Sequence, residues 1–224
     1  MLELYTAPTP NGWKASVALE ELELEYSVRS INLAEGEQKE PGYLALCPNG
    51  RVPTLVDEGF PIFESGAILL YLAEKTGKFL GAPEARGEVL SWLMFIATGV
   101  GPYSGQAVHF QHFAPEKLAY AVNRYRREVE RHYGILDDQL EGRDFLVGGE
   151  FTIVDMAAWG WLDRSKVVLG DGELDKYANL KRWFDAIDAR PAVQRARDIA
   201  KGIEFKSERD EAAMRALFPQ NYAA

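Results

Sequence analysis

The sequence predicts an α/β domain joined to an all-helical one. Three observations carry that expectation. Up to residue 76, short alternating or β-branched segments interleave with stretches of helical periodicity. Beyond residue 86 no convincing strand alternation appears, and long helical patterns take over. Between them Gly77 suits the residue just past a helix end, and residues 79–84 have linker composition. The expected division is a first domain over 1–78, a linker at 79–85 and a helical domain over 86–224.

Each element has its own signal. Residues 2–5 alternate like a strand, 12–24 carry helical periodicity, and 25–31 return to an alternating, β-branched pattern, which makes one βαβ unit. A polar loop over 32–43 leads to a short helical or irregular piece. Residues 54–57 and 61–64 then read as a hairpin across Glu58-Gly59-Phe60, followed by an apolar helix over 66–75. The order β-α-β-α-β-β-α is a thioredoxin-like layout with a mixed sheet. Helical patterns follow at 89–96, 115–140, 153–169, 177–189 and 192–203. Thr152 and Asp155 form a capping-box pattern, with Phe151 and Met156 spaced as its hydrophobic staple. The tail over 204–224 reads either as a last helix folded over the body or as an extension.

Bulk composition narrows the function classes. The chain has 224 residues and an apolar fraction of 47%, enough for a full core without special staples. Its 25 basic and 34 acidic side chains give a net charge of −9, which opposes nonspecific binding to nucleic acid and to anionic membranes. No long apolar run or basic leader stands at the start, so a cytoplasmic, unprocessed protein is expected. The single cysteine, Cys47, excludes internal disulfides, and any thiol chemistry must use a borrowed thiol.

The candidate site lies around the hairpin. Ser65 opens the apolar helix, so its hydroxyl is expected to cap the free N–H groups, and the helix end attracts a ligand carboxylate. Glu64, one residue earlier, is placed to meet a ligand ammonium. Pro53 stands at the mouth of a strand, where it cannot donate to the sheet; a cis bond there would turn the backbone of Val52 outward. Val52 would then pair with an extended dipeptide. Taken together these residues form a clamp for a small peptide.

The stretch 49–57, Asn-Gly-Arg-Val-Pro-Thr-Leu-Val-Asp, followed by 63–73, Phe-Glu-Ser-Gly-Ala-Ile-Leu-Leu-Tyr-Leu-Ala, resembles the glutathione half-site of cytosolic glutathione transferases. The first βα turn, Thr9-Pro10-Asn11-Gly12-Trp13-Lys14, and the block 103–113 narrow the resemblance to the bacterial nu class and its fungal Ure-type relatives. The resemblance implies glutathione as ligand, as one or two molecules or as glutathione disulfide, and disulfide-bond reduction as the activity. It puts Thr9 and Asn11 at the glutathione sulfur and Gln38 near the glycyl end. Arg51, Val52, Pro53, Glu64 and Ser65 lie along the first glutathione, and Arg124 reaches in from the partner of a homodimer. The acceptor would be a small-molecule disulfide or electrophile. Trp13 departs from the pattern and is expected to reshape the acceptor pocket. Lowering a thiol pKa by about two units needs roughly 2.7 kcal/mol, within reach of a hydroxyl, a helix end and free N–H groups.

Other residues have plainer uses. Tyr5, inside the first strand, suits core packing, and Cys47 suits a buried, inert thiol. His109 and His112 lack a third ligand for zinc and fit the lining of the acceptor pocket or a helix kink after Pro102. Trp92, Trp159, Trp161 and Trp183 fall on apolar helix faces, and Gly99-Val100-Gly101 lacks the strand and third glycine of a nucleotide loop. Two other functions fit the same residues: glutathione attack on, or ether and thioether cleavage of, carbon electrophiles, and a noncatalytic interaction module.

Overall fold

A computed structural model describes the whole chain except residues 200, 202, 204, 205, 207, 209, 223 and 224. The first part runs β1 (Leu2–Thr6), α1 (Pro10–Glu21), β2 (Tyr26–Ser30), α2 (Pro41–Leu46), β3 (Thr54–Asp57), β4 (Phe60–Phe63) and α3 (Ser65–Thr76). The four strands form one sheet in the order β2-β1-β3-β4. β1 runs parallel to β2, with Leu4 opposite Val28, and antiparallel to β3, with Leu4 opposite Leu55. The hairpin closes over two residues, Glu58 at φ 49° and Gly59 at φ 86°, because Asp57 pairs with Phe60. Two positive φ values match the twist of the flanking strands. This is the mixed sheet that the alternation pattern predicts.

The helical part comprises α4 (Arg86–Phe95), α5 (Gly101–Val108), α6 (Ala119–Gln139), α7 (Ile153–Leu162), α8 (Ser165–Val168), α9 (Ala178–Asp188), α10 (Pro191–Asp198) and α11 (Glu211–Leu217). Several helix boundaries differ from the sequence expectation. The helical rod begun at Arg86 continues to Phe113, with wide π turns at Ile96–Val100 and His109–Phe113. Pro102 has no N–H for the carbonyl four residues back, and the wide turn before it absorbs that loss. The pattern over 153–169 breaks at Asp163 into α7 and α8. The helix expected to run to residue 203 ends at Asp198, and part of its expected remainder lies outside the described residues. The tail resolves in favour of a helix, α11, folded over the body.

The two parts share one core. Leu4, Leu19, Leu55, Ile68, Leu69 and Leu72 from the sheet side join Trp159, Trp183 and Leu136 from the helices in a single buried cluster. α1 sits at its centre, with every residue from Gly12 to Leu19 buried. Gly160 of α7 allows the closest approach: a Cβ there would lie 2.4 Å from the carbonyl oxygen of Pro10 and 2.8 Å from Cγ of Lys14. The capping box at α7 forms, with Asp155 Oδ2 accepting from the Thr152 N–H at 2.9 Å and Thr152 Oγ1 from the Val154 N–H at 3.2 Å. Asp155 Oδ1 also accepts from Leu146 N at 3.0 Å and Trp183 Nε1 at 2.9 Å. Burial pushes the Asp155 carboxyl up to about 6, yet these donors all require the carboxylate, which it remains at neutral pH.

Candidate functional site

The loop between β1 and α1 is held tightly. Thr9 N–H donates to Ala7 O at 2.7 Å, and Gly12 packs where a Cβ would come within 2.2 Å of that same carbonyl oxygen. Only glycine fits position 12. Thr9 is the N-cap of α1, with φ −121° and ψ 158°, and its Oγ1 accepts from Gly12 N–H at 3.0 Å. Capping uses the oxygen lone pair and leaves the hydroxyl hydrogen free to donate. Capping and thiolate binding are therefore compatible at Thr9. Asn11, half-buried on the first turn, makes no side-chain hydrogen bond among the described residues.

Across the sheet, the Val52–Pro53 peptide is cis. Val52 is buried, and its backbone N–H and C=O enter no hydrogen bond among the described residues. Glu64 stands at the N-cap of α3 with φ 70° and ψ 119°, a region that L residues avoid and that is commoner at functional sites than elsewhere. Its carboxylate accepts from Asn49 Nδ2 at 3.2 Å. Ser65 corrects the sequence expectation: it is the first helical residue of α3, not its cap, and Glu64 supplies no side-chain cap. The first helical bond runs from Ile68 N–H to Glu64 O, at 3.0 Å. The amides of Ser65, Gly66 and Ala67 are thus left for an anion, with the Ser65 hydroxyl beside them.

Arg51 is exposed, and its carbonyl oxygen accepts from Tyr43 Oη at 2.7 Å and from Cys47 Sγ at 3.4 Å. Cys47 is 1% exposed in a small apolar cluster with Ala7, Ile31, Tyr43 and Val52. Tyr5 packs on the same cluster, its ring 6.0 Å from that of Tyr43. Gln38 is buried, and its Nε2 donates to Leu33 O at 3.3 Å and to Ala216 O of α11 at 3.0 Å, while its Oε1 is buried without a partner. Arg124 projects from α6 with half its side chain exposed and pairs with Glu128 at 3.3 Å.

The helical part carries a cluster of aromatic rings. Phe110 stacks on Tyr125 at 5.3 Å, and Tyr103 lies 5.3 Å from His132. Phe218, just after α11, packs edge-on to His109 at 4.8 Å and against Phe113 at 5.5 Å. The tail therefore bridges Gln38 of the first part and the 109–113 turn of the second. Burial lowers the pKa of His109 and His132, so both rings stay neutral at neutral pH. The glycines before them serve packing. A Cβ on Gly99 would meet His132 Nε2 at 2.9 Å, and one on Gly101 would meet Trp161 Nε1 at 2.8 Å. Trp13 overturns the expectation of a reshaped acceptor pocket: its indole is 6% exposed within the core, lining a small void with Val28 and Ile199.

One residue of the first turn escaped sequence reasoning. Lys14 is 3% exposed, inside the unbroken buried run from Gly12 to Leu19 of α1, and forms no hydrogen bond or ion pair among the described residues. Burial pulls its ammonium down to about 7, with Glu64 partly offsetting the effect. A charged residue inside an unbroken buried run was the available signal.

A sheet with an amide-bearing helix end, a cis-proline and a capped first turn facing an all-helical half defines a class of protein, and comparison with known proteins identifies it. Residues 1–74 match the family model "Glutathione S-transferase, N-terminal domain" and residues 119–186 match "Glutathione S-transferase, C-terminal domain". The chain is 41% identical over 207 residues to the disulfide-bond oxidoreductase YfcG of Escherichia coli, covering 88% of this chain and 94% of that protein. A glutathione transferase from Pseudomonas putida, crystallised with one glutathione disulfide per subunit, superposes with a TM-score of 0.82 at 36% identity, covering 88% of this chain and 91% of that one. A Phanerochaete chrysosporium transferase with oxidised glutathione gives a TM-score of 0.84 at 35% identity, covering 88% and 94%. The chain belongs to the glutathione S-transferase family. Among the described residues no helix is long and apolar enough to cross a membrane.

Proposed function

We propose that this protein is a glutathione-dependent disulfide-bond oxidoreductase of the nu-class type, in which bound glutathione supplies the reacting thiol. One observation carries the reading: the chain's single cysteine is buried in an apolar cluster, 1% exposed, whereas Thr9 keeps a free hydroxyl hydrogen at the N-terminus of α1. The γ-glutamyl carboxylate is assigned to the free amides and hydroxyl at Ser65, and the ammonium to Glu64. Val52 pairs with the cysteinyl backbone, next to Arg51 and Pro53. Thr9 and Asn11 donate to the sulfur. Gln38 serves the glycyl end, which requires its amide to exchange the tail carbonyl of Ala216 for the ligand.

The reaction needs no protein thiol. One glutathione thiolate attacks a sulfur of the small disulfide, whose S–S bond breaks as the other half leaves as thiolate and takes a proton. A second glutathione attacks the mixed disulfide, releasing the second acceptor thiol and glutathione disulfide. A helix end and hydroxyl favour thiolate over thiol. Thr9→Ala should lower turnover on bis(2-hydroxyethyl) disulfide about 10- to 100-fold, the worth of one hydrogen bond to a charged group, and change glutathione affinity less. Equal turnover in variant and wild type would remove Thr9 from the mechanism.

The working form is proposed to be a homodimer with Arg124 serving the partner's glutathione. Leu90 and Met94, one turn apart on α4, and Phe60 on β4 are exposed large apolar side chains, which supports a covered face. Mixing Thr9→Ala with Arg124→Ala subunits should recover about half of wild-type activity if the arginine acts across the interface and the sites are independent. A mixed dimer no more active than its parents would reject the shared site. A cytoplasmic location fits a catalyst that draws on reduced glutathione.

A further inference from the structure

The Lys14 side chain, 3% exposed, has a slot built for it, and its amine forms no hydrogen bond or ion pair among the described residues. Its stem runs along Gly160 of α7, where a Cβ would stand 2.8 Å from Cγ and 3.3 Å from Cε of the lysine. Any larger residue at 160 would displace it. On a helix, long side chains lean back over the preceding turn, so Lys14 lies along the face of Pro10 and Asn11, four and three residues earlier. Asn11 is the amide assigned above to the glutathione sulfur. Glu64, from the α3 side, is the one whose field it feels. Asp163, after α7, is taken by Arg197 and Arg164. Such an amine, held without a counter-charge at the edge of a ligand cleft, is completed by an anion that arrives with the ligand.

We propose that Lys14 is a further catalytic residue, whose amine faces the thiol of bound glutathione and exchanges its proton. The inference rests on glutathione being the substrate, as argued above. In the free enzyme burial brings the amine down to about 7, so a substantial neutral fraction is present at neutral pH. On binding, the S–H bond of glutathione breaks and an N–H bond forms on Nζ, leaving a thiolate beside an ammonium. When that thiolate opens the acceptor disulfide, the departing thiolate takes a proton from Nζ, and the amine is neutral again for the second glutathione. Protons and electrons balance without another reactant: one disulfide and two glutathiones give two thiols and one glutathione disulfide. Thr9 and Asn11 stabilise the thiolate; Lys14 takes its proton.

Lys14→Met tests this in the full-length protein, because methionine fills the slot along Gly160 without a charge. Glutathione binding is measured by calorimetry, and the pKa of the bound thiol by ultraviolet thiolate absorbance against pH. The expected result is a bound thiol whose pKa rises by more than one unit in the variant, so that at least tenfold less thiolate forms below that pKa. A merely structural lysine would not move that titration. A bound-thiol pKa equal to the wild-type value in a folded variant would overturn the proposal. A wild-type protein that binds no glutathione would instead overturn the functional reading, and this inference with it.

Discussion

Lys14 makes a quantitative prediction about stability that is independent of any ligand. Its ammonium falls from 10.5 to about 7 because it is buried, and that fall corresponds to about 4–5 kcal/mol of penalty on the charged form. Between those two values the unfolded chain binds more protons than the folded one, so stability should rise with pH across that window. Below about 7 the penalty is fully present and constant. Replacing a buried charge by an apolar side chain of similar volume commonly gains about 1–4 kcal/mol. Lys14→Met should therefore unfold in urea with about 2–4 kcal/mol more stability at pH 7, and the gain should shrink to a few tenths of a kcal/mol near pH 10.5. Titrations shared by both proteins cancel in the difference. Equal stabilities at pH 7, or a gap that does not change with pH, would refute the view that an unpaired amine is buried here.

Further outcomes follow from the same geometry. Glu64→Ala and Ser65→Ala should each weaken glutathione binding by about 1–3 kcal/mol in calorimetry, through lost charge-assisted contacts, and unchanged affinities would remove the clamp assignment. Asp155→Asn should destabilise the fold by about 2–4 kcal/mol in chemical denaturation, because an amide NH2 group would face either the Leu146 and Trp183 donors on one side or the Thr152 donor on the other. A loss below about 0.5 kcal/mol would show that those donors find other acceptors.

The fold was legible where local chemistry repeats. Alternation in 2–5, the hairpin pattern that includes 54–57, the glycine at 77 and the Thr152–Asp155 pair each specify their element without tertiary help, and each stands where expected. Legibility failed where packing decides. Pro102 reads as a kink site, and a wide turn just before it carries the helix through, with Gly99 packed against His132 and Gly101 against Trp161. Ser65 reads as a cap, but Glu64 takes that position with an unusual backbone, which no periodicity reveals. Trp13 reads as a pocket residue because its neighbours line the cleft, whereas its own side chain points into the core. Lys14 was overlooked since its meaning depends on Gly160, which lies far away in sequence. The reach of the tail to Gln38 is likewise a contact between distant residues, and only the folded chain displays it.

The central claim is that the reacting thiol belongs to glutathione and not to the protein. The most direct measurement is the steady-state rate of glutathione-dependent reduction of bis(2-hydroxyethyl) disulfide by the Cys47→Ser variant. Cys47 is 1% exposed and its Sγ donates to the Arg51 carbonyl oxygen, so it has no path to the acceptor. The account predicts a rate indistinguishable from that of the wild type. A folded Cys47→Ser protein without reductase activity would contradict it.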